Sequence, residues 1–240
     1  MEYTYSDISK MIDHALLTPS MSTTDLIAGC RLAVAYDVAS VCILPYAVKL
    51  CAEQLAGSTV KVSTVIGFPH GSNRAELKRT EAELALADGC QELDMVVNIS
   101  KVVSGDWDYV RDDVEGVVEV AHAVGQKVKV IFENHYLNDE QKQQLCEICS
   151  DIEADWVKTS TGFAASGATV QDVQLMRQAA GANVQVKAAG GIRDLDTLLE
   201  FRELGVTRIG ASGTVVMLDD CRKRLGLAPI EFVADVVEGY

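Results

Sequence analysis

Eight short, β-branched apolar runs recur along the chain with amphipathic stretches between them, and this alternation constrains the fold more than any other feature. The runs are MIDHALL, ASVCILP, KVSTVIGF, QELDMVVNI, KVKVIFE, ADWVKTS, NVQVKAA and VTRIGAS. The segments between them, from STTDLIAGCRLAVAY to RDLDTLLEFRELG, carry helical periodicity. Several begin on Ser, Thr, Asn or Asp and end on Gly, the residues that cap helices. Strands alternating with helices build parallel βα units. Eight such units in about 200 residues fit a closed (β/α)8 TIM barrel of the α/β class better than a doubly wound open sheet. No Pro-rich or Gly/Ser-rich linker divides the sequence, so residues 1–240 are expected to form a single domain.

In a barrel, side chains along a strand point alternately to the helices and to the interior. Placing Leu93 and Met95 against the helices leaves Glu92 and Asp94 inside. Val128, Val130 and Phe132 outside leave Lys129 and Glu133 inside. Val157 outside puts Lys158 inside, and Val184 and Val186 outside put Lys187 inside. Barrel interiors are usually filled by branched apolar residues, so a charged one marks a site.

Lys158 and Lys187 end the expected sixth and seventh strands, which adjoin in a barrel. An interior amine loses its proton more readily through desolvation, and a neighbouring ammonium adds to the effect, so each lysine is expected to depress the other. A free amine forms a Schiff base with a carbonyl, and the protonated imine then withdraws electrons from a nearby C–C bond. Asp94 on the fourth strand is a candidate proton relay. A salt-bridged or snorkelling strand end is the plainer reading for either lysine alone. Two of them with an interior Asp favour chemistry. The turns TSTG, AAGGIR and RIGASG follow strands six, seven and eight and carry Gly162, Gly190, Gly191, Gly210, Ser212 and Gly213. Barrels usually hold phosphate at the loops after strands seven and eight, where missing side chains let backbone N–H groups approach. TVVMLDD after Gly213 is a candidate for the short helix that completes such a site.

A formal charge of −14 argues against nucleic-acid and anionic-membrane partners. No leader-like opening and no long apolar run occur, so the expectation is a cytoplasmic protein. Seven scattered cysteines without an export signal are expected to be reduced thiols. Cys146 and Cys149 have redox-motif spacing but fall inside an amphipathic stretch, where cysteine serves as a small hydrophobe. His14, His70, His122 and His135 lack metal-ligand spacing, and no metal or cofactor is expected.

Taken in order, IDHALL, TVIGFPHG, ELDMVVNI, DWVKTSTGF, VKAAGGIR and RIGASG resemble deoxyribose-phosphate aldolase from about residue 10 to 215. The resemblance implies a class I barrel aldolase that interconverts 2-deoxy-D-ribose 5-phosphate with D-glyceraldehyde 3-phosphate and acetaldehyde. It assigns the Schiff base to Lys158, its perturbation and a share of proton transfer to Lys187, and proton exchange through water to Asp94. Gly162, Gly190, Gly191, Gly210 and Ser212 match its phosphate positions, with Arg193 as a helper. Cys42 resembles a family cysteine near the substrate, although a small buried hydrophobe is the plainer reading. The roles of Asp13, His135 and the terminal Tyr240 stay open. The partner implied is a small phosphosugar, and a homodimer is the assembly considered. A non-catalytic phosphosugar-binding barrel is the alternative of another class; it could dispense with either lysine or with Asp94.

Overall fold

The structure, a computed structural model, describes residues 3–232. Eight parallel strands close a barrel in sequence order: β1 Ile12–Leu16, β2 Ser40–Ile43, β3 Lys61–Ile66, β4 Glu92–Val96, β5 Lys127–Ile131, β6 Trp156–Lys158, β7 Gln185–Ala189 and β8 Val206–Ala211. Each lies within the apolar run expected to supply it. Around them run α1 Tyr5–Ser9, α2 Thr23–Ala35, α3 Val48–Leu55, α4 Ala75–Ala87, α5 Ile99–Val103, α6 Trp107–His122, α7 Asp139–Asp151, α8 Val170–Ala179, α9 Leu195–Glu203 and α10 Thr214–Arg224.

Local chemistry fixes several of the helix starts. Ser22 with Asp25 caps α2 reciprocally, and Asn138 with Gln141 does the same for α7. α1 and α5 were not expected; each has five residues, too few for a periodic pattern to emerge. The TVVMLDD segment opens α10, which runs for 11 residues.

The main core lies between strands and helices. Leu93, Met95, Val128, Val130, Phe132, Val157, Val184 and Val186 all belong to it, as the alternation required. A second, small apolar cluster of Leu17, Cys42 and Val65 lies apart from the main core, with Ala15, Leu44 and Phe68 against it. Cys146 and Cys149 are buried within α7, and burial pushes the Cys146 thiol up to about 12, as for a packing residue. Tyr240 lies outside the described residues. Among the described residues, no helix is long and apolar enough to cross a membrane.

Candidate active site

Strand register assembles the site. β6 and β7 pair so that Lys158 stands beside Lys187, and β7 and β8 pair Lys187 with Arg208. Asp94 on β4 lies beside Lys129 on β5, and Asp13 on β1 beside Ser40 on β2. Lys158 Nζ donates to Asp94 Oδ2 at 2.7 Å, and Lys187 Nζ reaches the same oxygen at 2.7 Å. Lys187 also donates to Asp13 Oδ2. Lys129 sits against Asp94 Oδ1 at 2.9 Å, Glu92 Oε2 at 2.6 Å and Asp13 Oδ2 at 3.3 Å. Arg208 grips both Glu92 oxygens at 2.8 and 2.9 Å and touches Asp13 Oδ1 at 2.6 Å.

Counting these charges gives the site its chemistry. In the described interior network, three carboxylates (Asp13, Glu92, Asp94) face four cationic side chains (Lys129, Lys158, Lys187, Arg208). A surplus buried ion costs several kcal/mol even after relaxation, so the set is most stable with one amine unprotonated. Lys129 touches three carboxylates, and Lys187 and Arg208 two each. Lys158 touches one, on an oxygen it shares. Desolvation therefore carries the Lys158 amine below its ordinary value, against the pull of Asp94 and with help from the Lys187 cation. Burial pulls Lys187 down too, but Asp13 and Asp94 outweigh it and hold its amine above the usual lysine range. Mutual depression was the expectation; the effect runs one way, because Asp13 gives Lys187 a counterion that Lys158 lacks. Burial alone would raise the Asp94 carboxyl, but Lys129, Lys158 and Lys187 hold it well below the usual carboxylate range.

Above this layer a cavity of about 400 Å³ opens at the strand C-termini, the face where barrels carry their sites. Lys158, Lys187, Asp13 and Cys42 lie in its wall, as do Gly162, Gly190, Gly191, Gly210, Ser212 and Arg193. Asp94 and Lys129 lie beneath it. Burial, then the Asp94 charge, pushes the Cys42 thiol up, so it presents a small neutral group. Gly190 has φ +85°, and a Cβ there would fall 2.8 Å from Gly167 Cα, so the loops after β6 and β7 can meet only without a side chain. A Cβ on Gly210 would lie 3.3 Å from Lys187 Cε; this glycine also leaves the lysine its path across β8.

One interior assignment needs correction. Glu133 is not with the lysines: it follows β5 in a left-handed conformation at φ 57°. There it accepts from the Thr161 backbone N–H and hydroxyl, and so holds the loop after β6. Parity fails because the strand ends at Ile131. His135 lies in a short 3-10 turn, Asn134–Tyr136, and is bonded to Ser166. Sequence reasoning left Asp13 without a role and missed Arg208 and Trp156. β8 has a register irregularity beside Arg208, so alternation counted from Val206 sends Arg208 outward. Trp156 was legible as the inward neighbour of Val157; Arg208 lies 5.0 Å and Lys129 5.8 Å from its ring centre.

A family model described as DeoC/LacD family aldolase matches residues 8–223. This chain belongs to that aldolase family. The deoxyribose-phosphate aldolase of Rhodopirellula baltica is 59% identical over 239 residues, covering 100% of this chain and 99% of that protein. That of Thermococcus kodakarensis is 46% identical over 215 residues, 89% of this chain and 96% of its own. Among solved structures, the tetrameric deoxyribose phosphate aldolase of Aeropyrum pernix superposes with a TM-score of 0.83 at 31% identity, covering 92% of this chain and 93% of that one. The orotidine 5'-phosphate decarboxylase of Pyrococcus horikoshii, at 13% identity and a TM-score of 0.61 over 84% of this chain and 88% of its own, shares the fold alone.

Proposed function

We propose that this aldolase reversibly cleaves 2-deoxy-D-ribose 5-phosphate to D-glyceraldehyde 3-phosphate and acetaldehyde through a Schiff base on Lys158. One observation carries the reading: Lys158 opens on the cavity as the amine left with a shared oxygen of a single carboxylate. The full-length relatives that bear the deoxyribose-phosphate aldolase name support the choice of substrate.

The free amine adds to the C1 aldehyde, and loss of water gives a protonated imine. The C2–C3 bond then breaks as the C3 hydroxyl gives up its proton. C3 becomes the aldehyde carbon of glyceraldehyde 3-phosphate, and the bonding pair stays on C2 as an enamine. Protonation at C2 and hydrolysis of the imine release acetaldehyde and restore the amine. Asp94 and Lys187 are assigned the proton traffic, through water. Lys187 donates to the oxygen that Lys158 contacts, so proton uptake and delivery belong to one hydrogen-bonded unit. Gly162, Gly190, Gly191, Gly210 and Ser212 are assigned to the phosphate, with Arg193 beside them and the start of α10 following Gly213.

This mechanism uses no metal or cofactor. The same reading takes residues 1–240 as one domain working in the cytoplasm, in keeping with seven unpaired, buried cysteines. A homodimer is part of the proposal, and sedimentation equilibrium would separate it from a tetramer like that described for the Aeropyrum pernix protein.

The test is borohydride reduction in the presence of 2-deoxyribose 5-phosphate, followed by peptide mass mapping. A stable adduct on Lys158 is expected. An adduct on Lys187 would reverse the two roles, and a folded protein that binds the sugar phosphate without any adduct would point to the binding-only barrel.

A further inference from the structure

We propose that Lys129, which does not line the cavity, sets the charge balance that leaves Lys158 unprotonated. It is a positioning residue acting through Asp94, and the proposal rests on the Schiff-base reading above.

Lys129 is wholly buried on β5, below the cavity, with ammonium contacts to Asp94, Glu92 and Asp13. It occupies Asp94 Oδ1, so Lys158 and Lys187 are left to share Oδ2. Without Lys129, three interior carboxylates would face three cations, and neutrality would call for Lys158 to keep its proton as the counterion of Asp94. Its presence makes one amine surplus, and geometry makes that amine Lys158. The other groups facing the cluster do not alter this balance. β1 brings Asp13, β2 the Cys42 thiol that burial keeps neutral, and β4 Glu92 and Asp94. β6 brings Lys158 itself with the uncharged Trp156, β7 Lys187 and β8 Arg208. The charged residue of β3, Lys61, points to solvent.

A structural role predicts only weaker folding when Lys129 is changed. A charge-setting role predicts a signed response. Lys129→Gln keeps a donor toward the carboxylates but removes the cation, so the Lys158 amine should hold its proton to higher pH. Removing one carboxylate as well, in the double variant Glu92→Gln/Lys129→Gln, restores two carboxylates against three cations and should reverse the change. Glu92→Gln alone should move it the opposite way.

The experiment follows Lys158 acylation by acetic anhydride against pH in the full-length protein, read by peptide mass. K129Q is expected to move the labelling midpoint up by about one unit, or roughly tenfold less labelling at neutral pH. The double variant is expected to return to wild type. An unmoved midpoint in folded K129Q, or a double variant that stays shifted with K129Q, overturns the proposal. If K129Q does not fold, E92Q decides: a midpoint that fails to fall counts against it. The labelling needs no substrate, so its outcome is separate from the borohydride test, where a wild-type protein without adduct would sink the Schiff-base reading instead.

Discussion

Two buried lysines of this molecule invite comparison, Lys158 inside the barrel and Lys78 behind it. Lys78 reaches from α4 to Asp113 on α6, 2.5 Å away, and also donates to the Val96 carbonyl at the end of β4. Its stem runs across Gly67, where a Cβ would fall 2.8 Å from Lys78 Cε. Burial lowers the Lys78 amine just as it lowers that of Lys158. The resemblance ends there. Lys78 and Asp113 form a sealed pair with no side-chain exposure, whereas Lys158 shares its carboxylate oxygen with another cation and forms part of a cavity wall. A displaced lysine proton is therefore not evidence of chemistry by itself. Chemistry needs access and a surplus of positive charge that makes the neutral amine the comfortable state.

The sharpest test of that contrast is reciprocal substitution. Lys158→Met should lower kcat/KM for 2-deoxyribose 5-phosphate by about a thousandfold or more. It should leave stability within about 1 kcal/mol of wild type, since Asp94 keeps two ammonium partners. Lys78→Met should do the reverse. It strands Asp113 between helices without its cation, so urea denaturation should register a loss of about 3–5 kcal/mol. The adduct on Lys158 should still form. Adding Asp113→Leu should recover much of the stability, because the cost lies in the unpaired charge. A Lys78 variant that folds well but no longer forms the adduct would collapse the distinction.

The two lysines also differ in how well the sequence announced them. Lys158 interrupts an apolar strand, where period-two alternation assigns every side chain a direction, so its inward placement could be read directly. Lys78 sits in RAELKRTEAELALA, a helix so rich in charge that one more lysine carries no information. Its partner, Asp113, lies 35 positions away on another helix, and helix–helix contacts of that kind leave no local pattern. The same reasoning explains the interior. Asp94, Lys129 and Lys187 were legible because their strands alternate regularly; Arg208 was hidden by the irregularity in β8, and Glu133 by the end of β5. The closed barrel was legible from eight runs, but the preference of Lys187 for its proton was not. It depends on Asp13, contributed by a strand 174 positions away.

A third buried titratable group has no counterion among the described residues. His14 on β1 faces away from the site, with Nδ1 2.8 Å from the Thr214 hydroxyl at the start of α10. Burial holds its imidazole down at about 4, against 6.5 when exposed. Between those values the unfolded chain binds the proton and the native state does not, so stability falls as pH falls through the window. The loss should approach about 3 kcal/mol by its lower end. Denaturation curves of wild type and His14→Gln should therefore converge on acidification, the variant lacking this slope. Parallel slopes would mean that some other group supplies the pH dependence.

The smallest effect is expected at Glu133, a buried carboxyl tied down by hydrogen bonds and not by a lysine. It accepts from Thr161 twice, and the Thr161 hydroxyl in turn accepts from the Phe163 N–H. Thr161, Gly162 and Phe163 all line the cavity, so this chain shapes the β6 loop where the phosphate is proposed to lie. Glu133→Gln keeps one acceptor for the Thr161 N–H but turns the other atom into a donor, which leaves the Thr161 hydroxyl proton without its acceptor. The net cost of one such exchange is about 1 kcal/mol. Because it falls on the loop and not on the amine, it should appear as a roughly fivefold rise in KM with kcat nearly unchanged, and with the pH midpoint of Lys158 labelling unmoved. A fall in kcat with constant KM would mean that Glu133 works on the reacting atoms. Of the buried titratable groups compared, Lys158 would then no longer be set apart by its access to the cavity.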